Sequence, residues 1–303
     1  MGRTSKHGAL GMGSRSLERL ALVAMTLLCA FLLATRDATP AGKACDLSPQ
    51  YSGLPNGGQS AAAGGEQTWF EVARTTPTDK ITKHAYDVAY DKYLPRYRTQ
   101  PRVKLLEIGL GCNMGYGPGA SLRVWQEYFK NTNLELHFLE YDRPCAEKWQ
   151  PKYPDVKFHI GDQASFHDLQ KVIDDSGGQF DIIIDDGGHT MKQQIHTIEY
   201  MIPHALKPGG IFIMEDLITS FEGPILPKKY DPRDYGTNIT TEFICSIIDD
   251  MHKASYYPSA RLPRSNWMYQ HILGVYCIRG LCVFEKMPPS SELSPSMINK
   301  DKP

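Results

Sequence analysis

The 303-residue chain has little excess charge of either sign, and this scarcity excludes one broad class of function. It contains 33 lysine and arginine residues against 34 aspartate and glutamate residues, so its formal net charge is only -1. Nucleic-acid-binding proteins usually carry a basic excess or a run of basic residues. The sequence has no such run and no internal repeat. We therefore expect a non-repetitive globular protein without a nucleic-acid partner.

Long apolar runs are also scarce, and the one present lies near the N-terminus. Residues 20–34 form a mostly apolar run of about 15 residues, preceded by several basic residues. This pattern predicts a secretory signal peptide or a signal anchor over residues 1–35. A membrane span needs roughly 20 apolar residues, so the run is short for an anchor, and it is long for a signal-peptide core. Both alternatives stay open, and either predicts a protein of the secretory pathway, membrane-anchored with a lumenal domain or secreted.

The rest of the chain divides by composition. Residues 36–66 are rich in Gly, Ala, Ser and Pro and are typical of a flexible linker. We expect one domain over residues 67–286 and a disordered tail over 287–303. Cys277 and Cys282 flank a predicted hairpin turn, where they can form a disulfide or remain two free thiols.

The order of apolar segments within 67–286 predicts the fold class. Predicted strands alternate with predicted helices, which favours an α/β fold with a doubly wound, mostly parallel sheet and right-handed crossovers. A C-terminal antiparallel hairpin should pair residues 272–278 with 281–286. The five parallel strands are expected at 103–109, 136–139, 156–160, 180–184 and 211–214, with a helix at 86–97 before them.

Acidic residues follow two of these strands. Asp185 and Asp186 come directly after the fourth strand, and Glu215 and Asp216 follow the fifth. Parallel strands bring their carboxyl ends to one edge of the sheet, where ligands bind. Like charges gathered there repel each other unless something neutralises them, and a hard divalent cation does so. His189, close to the first acidic pair, could supply a base beside that cation.

A second set of residues predicts a nucleoside cofactor site at the same edge. Gly109 and Gly111 form a glycine-rich turn between a strand and a helix, which allows a ligand to approach the backbone. Glu107 precedes this turn, and Glu140 ends the second strand, where it can accept the hydroxyls of a ribose. The glycine spacing departs from the dinucleotide fingerprint, so S-adenosylmethionine fits better than a nicotinamide cofactor. Alternatively, the glycines merely make a tight turn.

The third strand ends at Asp162 and Gln163, which we expect to meet the adenine of such a cofactor. Together these motifs resemble those of the metal-dependent class I S-adenosylmethionine methyltransferases that act on macrolide sugars, and of the similar cephalosporin-hydroxylase-like group. The resemblance covers residues 78–221. It rests on TDK…H.Y at 78–86, LLEIGLG at 105–111, LE at 139–140, GDQ at 161–163, IDDGGH at 184–189 and PGGIFIMED at 208–216.

The resemblance implies specific roles. It implies a Rossmann-like class I methyltransferase fold, a divalent metal on Asp186, Glu215 and Asp216, and His189 as the general base. Lys80 and Tyr86 would contact the methionine carboxylate of the cofactor, although they could equally belong to an exposed helix start.

The function expected from these residues is an S-adenosylmethionine-dependent, Mg²⁺-assisted O-methyltransferase for a hydroxyl of a small molecule or sugar. A divalent metal lowers the pKa of a bound alcohol, and a neutral histidine can take its proton. Asp185 can line the cofactor site or cap the turn, and His189 can cap the following helix. The alternative function is a secreted or membrane-tethered binding protein that keeps the fold without turnover.

Overall fold

The computed structural model describes residues 66–221, 239–256 and 266–292. The predicted signal segment, nearly all of the linker, and the tail beyond residue 292 lie outside the described residues. Within the described ranges, no helix combines the length and the apolar character that crossing a membrane requires.

The described residues form a seven-stranded sheet with the order β3-β2-β1-β4-β5-β7-β6. The first five strands pair in parallel, while β7 pairs antiparallel with both β5 and β6. This arrangement confirms the predicted fold class, including the C-terminal hairpin. The strands are β1 (Arg102–Ile108), β2 (Asn133–Glu140), β3 (Lys157–Ile160), β4 (Phe180–Asp185), β5 (Leu206–Met214), β6 (Ile272–Ile278) and β7 (Leu281–Lys286).

Helices cover both faces of this sheet. They are α1 (Trp69–Ala73), α2 (Asp79–Thr82), α3 (Asp87–Tyr93), α4 (Pro95–Arg98), α5 (Ala120–Tyr128), α6 (Arg143–Trp149), α7 (Phe166–Ser176), α8 (Met191–His204) and α9 (Thr240–Tyr256). Successive residues of a strand point to opposite faces. Leu105 therefore packs into the core with Trp69 and Trp125, whereas its neighbour Leu106 packs on the other face with Ile198. Both faces are buried, as a doubly wound sheet requires.

Two predicted elements differ most from the structure, and each observed segment contains a proline. The helix predicted over 86–97 is split, because Pro95 lacks the N–H that a continuous helix needs and instead starts α4 at its first turn. Strand β5 begins at Leu206 rather than Ile211. Its pairing with β4 is irregular between Phe180 and Ile182, opposite the Pro-Gly-Gly segment, and the strand continues through that segment.

The hairpin turn at Arg279-Gly280 forms as expected. Cys277 lies opposite Cys282 in the β6–β7 register, and the two form a disulfide with a Cα–Cα distance of 4.1 Å. Of the two alternatives left open by the sequence, the structure therefore has the disulfide. The turn lies beside the carboxyl end of β5, since the Gly280 carbonyl accepts a hydrogen bond from the Leu217 N–H at 2.9 Å.

Candidate active site

A pocket of about 670 Å³ opens at the carboxyl edge of the parallel strands. The loops after β1, β2, β3, β4 and β5 all contribute to its wall, so the predicted convergence of strand ends is present. Of the residues predicted from the sequence for cofactor, metal or base, the following line it: Lys80, Gly109, Gly111, Glu140, Asp162, Gln163, Asp186, His189 and Asp216.

The glycine-rich turn passes very close to the acidic loop. Gly109 has a φ of +97°, and a Cβ at this position would collide with the carbonyl oxygen of Asp186. The Asp186 N–H in turn donates to the Ile108 carbonyl at 3.0 Å. Only glycine combines this backbone conformation with this close approach. The turn thus fixes the acidic loop as well as opening space for a ligand.

Glu140 is held at the pocket wall by two backbone donors. Its Oε2 accepts from the Leu110 N–H at 2.8 Å, and its Oε1 accepts from the Asp142 N–H at 2.8 Å. Each carboxylate oxygen can accept a further hydrogen bond. The fixed carboxylate can therefore receive two neighbouring hydroxyls, which is the chemistry expected for a ribose.

Gln163 joins the end of β3 to the acidic loop. Its Nε2 donates to Asp185 Oδ1 at 2.9 Å, and its Oε1 accepts from the Gly188 N–H at 2.8 Å. Asp162 also lies at the wall, where its Oδ1 accepts from the Ala164 N–H at 2.8 Å. Both residues therefore reach the pocket through ordered backbone contacts.

A disulfide that the sequence did not predict ties two walls of the pocket together. Cys112 follows the glycine turn and Cys145 lies in α6, and their Cα atoms are 6.1 Å apart. The bond joins the loop after β1 to the helix that follows Glu140. The two cysteines are 33 residues apart in sequence, and no local pattern pairs them.

Three side chains converge where the loops after β4 and β5 meet. His189 Nε2 lies 3.3 Å from Asp216 Oδ2 and 3.9 Å from Asp186 Oδ1. One ligand atom from each of the three residues lies within 4.8 Å of the others. Two carboxylates and an imidazole at this spacing fit a divalent cation. His189 and Asp216 have positive φ values of 58° and 54°, which is backbone strain of the kind concentrated at functional sites.

The electrostatics of this cluster favour an ionised Asp216. Burial opposes its ionisation, but the neighbouring His189, the Tyr86 hydroxyl and His84 outweigh it and hold the pKa of Asp216 below its usual value. The Nδ1 of His189 is buried and has no hydrogen-bond partner among the described residues. Its Nε2 is the nitrogen that faces the carboxylates.

Glu215 is oriented away from the pocket. Tyr90 donates a short hydrogen bond to its Oε1, and Lys80 Nζ lies 2.7 Å from its Oε2. The residue is 1% exposed and does not line the pocket. Its role as a metal ligand stays a prediction, because its Oε2 is already paired with the Lys80 ammonium.

Lys80 is itself almost fully buried and surrounded by acids. Its ammonium lies 2.6 Å from Asp186 Oδ2 and 3.4 Å from Glu107 Oε1, in addition to Glu215. Burial alone would lower the pKa of Lys80, but Asp186 and Glu215 raise it well above the ordinary value. The ammonium is therefore charged and already satisfied.

Three residues predicted for cofactor binding do not line the pocket, and their role in cofactor binding stays a prediction. Tyr86 donates its hydroxyl proton to Asp216 Oδ1 at 2.7 Å. Glu107 Oε2 accepts from Ser121 and from the Trp125 indole beneath the glycine turn. Asp185 is fully buried behind Gln163, and burial raises its pKa to about 6. All three support residues at the wall, because their side chains are directed into the protein.

Sequence reasoning missed Tyr90 as part of this network. Tyr90 lies one helical turn after Tyr86. The Tyr90 hydroxyl donates to Glu215, and the Tyr86 hydroxyl donates to Asp216. The spacing of four residues puts both tyrosines on one face of α3. That spacing was a usable signal, but apolar packing explains aromatic residues on a helix face equally well.

No protein-family model matches the chain. Among curated proteins, it is 33% identical over 193 residues to the 8-demethyl-8-alpha-L-rhamnosyl tetracenomycin-C 2'-O-methyltransferase of Streptomyces olivaceus, covering 61% of this chain and 46% of the relative. It is 29% identical to the demethylmacrocin O-methyltransferase of Streptomyces fradiae, covering 72% of this chain and 52% of that protein. The chain thus spans about half the length of the curated relatives it matches.

A solved structure shares the fold. It is the MycE methyltransferase of the mycinamycin biosynthetic pathway in complex with Mg and SAH, with a TM-score of 0.60 and 24% sequence identity. The match covers 78% of this chain and 58% of that one.

These relatives correct one expectation. The predicted localisation in the secretory pathway, membrane-anchored or secreted, is wrong, because the curated proteins that the chain matches are Streptomyces O-methyltransferases. The membrane partner and the signal anchor are likewise unsupported. The resemblance itself is confirmed: the chain has the class I methyltransferase fold, and its curated relatives are O-methyltransferases that act on sugars.

Proposed function

We propose that this protein is an S-adenosylmethionine-dependent O-methyltransferase that acts, with a divalent cation such as Mg²⁺, on a hydroxyl of a sugar-bearing small molecule. One observation carries the proposal. The residues suited to a nucleoside cofactor and those suited to a cation line a single pocket, with Gly109 in contact with the Asp186 backbone. A donor and an activated acceptor must meet at one point for methyl transfer.

The cofactor half is supported by Glu140 and the glycine turn. The Glu140 carboxylate is fixed by two backbone N–H groups, so it can bind two ribose hydroxyls without losing side-chain freedom on binding. Asp162 and Gln163 lie at the same wall, where an adenine would be recognised. The relative of known structure was solved with SAH, the product form of this cofactor.

The metal half is supported by Asp186 and Asp216, whose carboxylates both face the pocket. Mg²⁺ prefers oxygen ligands to imidazole, so we assign these two carboxylates to the cation. Glu215 is the third ligand that the family resemblance implies, and it would have to give up its contact with Lys80 to join them. When bound, the cation supplies Lewis acidity that lowers the pKa of an acceptor hydroxyl.

His189 is then free to act as the general base. Its Nε2 faces the two carboxylates at 3.3 and 3.9 Å, and is placed to take a proton from an acceptor hydroxyl bound there. Asp216 orients the imidazole and stabilises the imidazolium that forms. Proton removal and methyl transfer therefore meet at one end of the pocket.

The acceptor class follows from the relatives and from the site. The named relatives methylate a rhamnosyl tetracenomycin and demethylmacrocin, and neighbouring sugar hydroxyls can chelate a cation held by protein carboxylates. Most of residues 218–240, which follow β5 in the sequence, lies outside the described residues, so we propose the class and not the individual molecule.

Methyl incorporation from labelled S-adenosylmethionine into a panel of glycosides tests this proposal. We expect incorporation with Mg²⁺, none with a chelator, and a loss of at least about a hundredfold in kcat for His189→Ala. His167→Ala is the matched control, because the His167 side chain is 88% exposed. Cofactor binding with no incorporation into any glycoside would instead favour a binding protein without turnover.

A further inference from the structure

Lys80 lies where its positive charge competes with a metal ion. Its ammonium bridges Asp186 Oδ2 at 2.6 Å and Glu215 Oε2 at 2.7 Å, two of the carboxylates assigned to the cation. A divalent cation bound to the same oxygens would be repelled strongly by an ammonium a few ångströms away. The ammonium and the cation therefore cannot both bind these two oxygens at the same time.

Glu107 offers a second partner for the ammonium. Its Oε1 is 3.4 Å from Lys80 Nζ and is buried without a hydrogen-bond partner among the described residues. Its Oε2 is fixed by Ser121 at 2.7 Å and by the Trp125 indole at 2.8 Å. Glu107 is therefore anchored, and a small rotation of the flexible lysine is enough to shorten their contact.

We propose that Lys80 is an internal counter-cation that occupies the metal position between Asp186 and Glu215 and moves onto Glu107 when a divalent cation binds. Three carboxyl groups surround this one ammonium, so Glu107 would remain as its partner when a cation takes the other two. Lys80 is then a positioning residue of the metal site and not a contact of the cofactor. This inference rests on the proposed function, because it requires that a cation binds here.

Two substitutions with opposite expected effects test the proposal. Lys80→Met removes the competing charge while keeping the length of the side chain, and Mg²⁺ should bind about tenfold more tightly than to the wild type. Glu107→Gln removes the receiving charge, so the ammonium stays on Asp186 and Glu215 and Mg²⁺ should bind about tenfold more weakly. Glu107 is not one of the residues assigned to the cation, and its Oε2 is held by Ser121 and Trp125, so direct loss of a ligand would not explain that result.

The measurement is a calorimetric titration of Mg²⁺ into each cofactor-free protein, together with thermal unfolding in chelator and in Mg²⁺. Lys80→Met should unfold at a lower temperature in chelator and gain more from Mg²⁺ than the wild type does. Lys104→Met is the matched control, since Lys104 is another buried lysine whose ammonium bonds the Ser176 carbonyl at 2.5 Å, away from the site. It should leave the Mg²⁺ affinity unchanged.

Two results would overturn the inference. One is Mg²⁺ binding to Lys80→Met that equals or falls below that of the wild type. The other is a large loss of S-adenosylhomocysteine affinity in Lys80→Met with unchanged Mg²⁺ binding, which would make Lys80 a cofactor contact. If Lys80→Met does not fold, Glu107→Gln decides alone, and unchanged Mg²⁺ affinity in that variant contradicts the proposal. A wild-type protein that binds neither ligand refutes the proposed function instead.

Discussion

At the scale of single residues, the pocket depends on groups whose contacts are already fixed by the backbone. Glu140 illustrates this, because both of its oxygens accept from backbone N–H groups before any ligand arrives. Gly109 illustrates it by the absence of a side chain, which lets the turn after β1 touch the loop after β4. A substitution of Glu140 and one of Gly109 test these two contacts, each compared with a control substitution elsewhere in the protein.

Glu140→Ala should weaken S-adenosylhomocysteine binding by roughly ten- to a hundredfold, the range for losing hydrogen bonds to a charged group. Mg²⁺ binding should remain, because Glu140 does not contact the acidic cluster. Calorimetry of both ligands measures this. Glu127→Ala is the control, since the Glu127 carboxylate is 49% exposed and paired only with a surface lysine. Equal cofactor affinity in the two variants would contradict the assignment of Glu140.

Gly109→Ala should lower the free energy of unfolding by about 3 kcal/mol, because alanine meets both a positive φ and a collision with Asp186. Gly115→Ala is the control in the same loop, since a Cβ there meets no atom within 4 Å. Urea unfolding measures both. A control as destabilised as the variant would show that the loop, and not the contact, is responsible.

The buried His137 and the half-buried His159 give a pH dependence. Their rings are joined by a 2.9 Å contact between Nδ1 and Nε2, and burial lowers the pKa of both, that of His159 to about 4. The folded state therefore holds fewer protons than the unfolded chain between pH 6.5 and about 4, so stability should fall as pH falls through this range. Melting temperatures for the wild type and His159→Gln measure it, and an equally steep decline in both would exclude this pair as the cause.

At the scale of elements, the disulfide Cys112–Cys145 joins the glycine turn to α6, whereas Cys277–Cys282 closes the hairpin. Cys112 lines the pocket, between the segments that present Gly111 and Glu140. The first disulfide therefore restrains the cofactor wall, the part of the pocket formed by the glycine turn and the segment after Glu140. The second disulfide lies within the β6–β7 hairpin.

Replacing Cys112 and Cys145 by serine should weaken S-adenosylhomocysteine binding by roughly tenfold, since the wall must then be ordered on binding. The pair Cys277→Ser and Cys282→Ser should change this affinity much less and serves as the control. Calorimetry under non-reducing conditions makes the comparison. Equal losses in both double variants would show that general destabilisation, and not the wall, sets the affinity.

At the scale of the whole molecule, the sequence predicts the topology well. Each parallel strand is a short apolar run, and acidic or glycine residues mark its carboxyl end. The side of the pocket made by the helices before β1 was much less predictable. Lys80, Tyr86 and Tyr90 reach Asp186, Glu215 and Asp216 over more than a hundred residues of sequence. Such contacts depend on tertiary packing. The four-residue spacing of the two tyrosines puts them on one side of a helix but does not specify their partners.

The same limit applies to covalent and backbone detail. Cys112 and Cys145 have no local pairing signal, and Pro208 in a Pro-Gly-Gly segment is typical of a loop although β5 runs through it. For β5, pairing with β4 and β7 decides the outcome.

The central claim is that one pocket binds both the cofactor and the cation through separate carboxylates. Sequential calorimetric titration of S-adenosylhomocysteine and Mg²⁺ into the wild type and Asp216→Asn tests it most directly. We expect the wild type to bind both ligands, and Asp216→Asn to keep the cofactor while losing Mg²⁺ affinity by about tenfold or more. Failure of the wild type to bind the cofactor at millimolar concentration, or unchanged Mg²⁺ binding in Asp216→Asn, would contradict it.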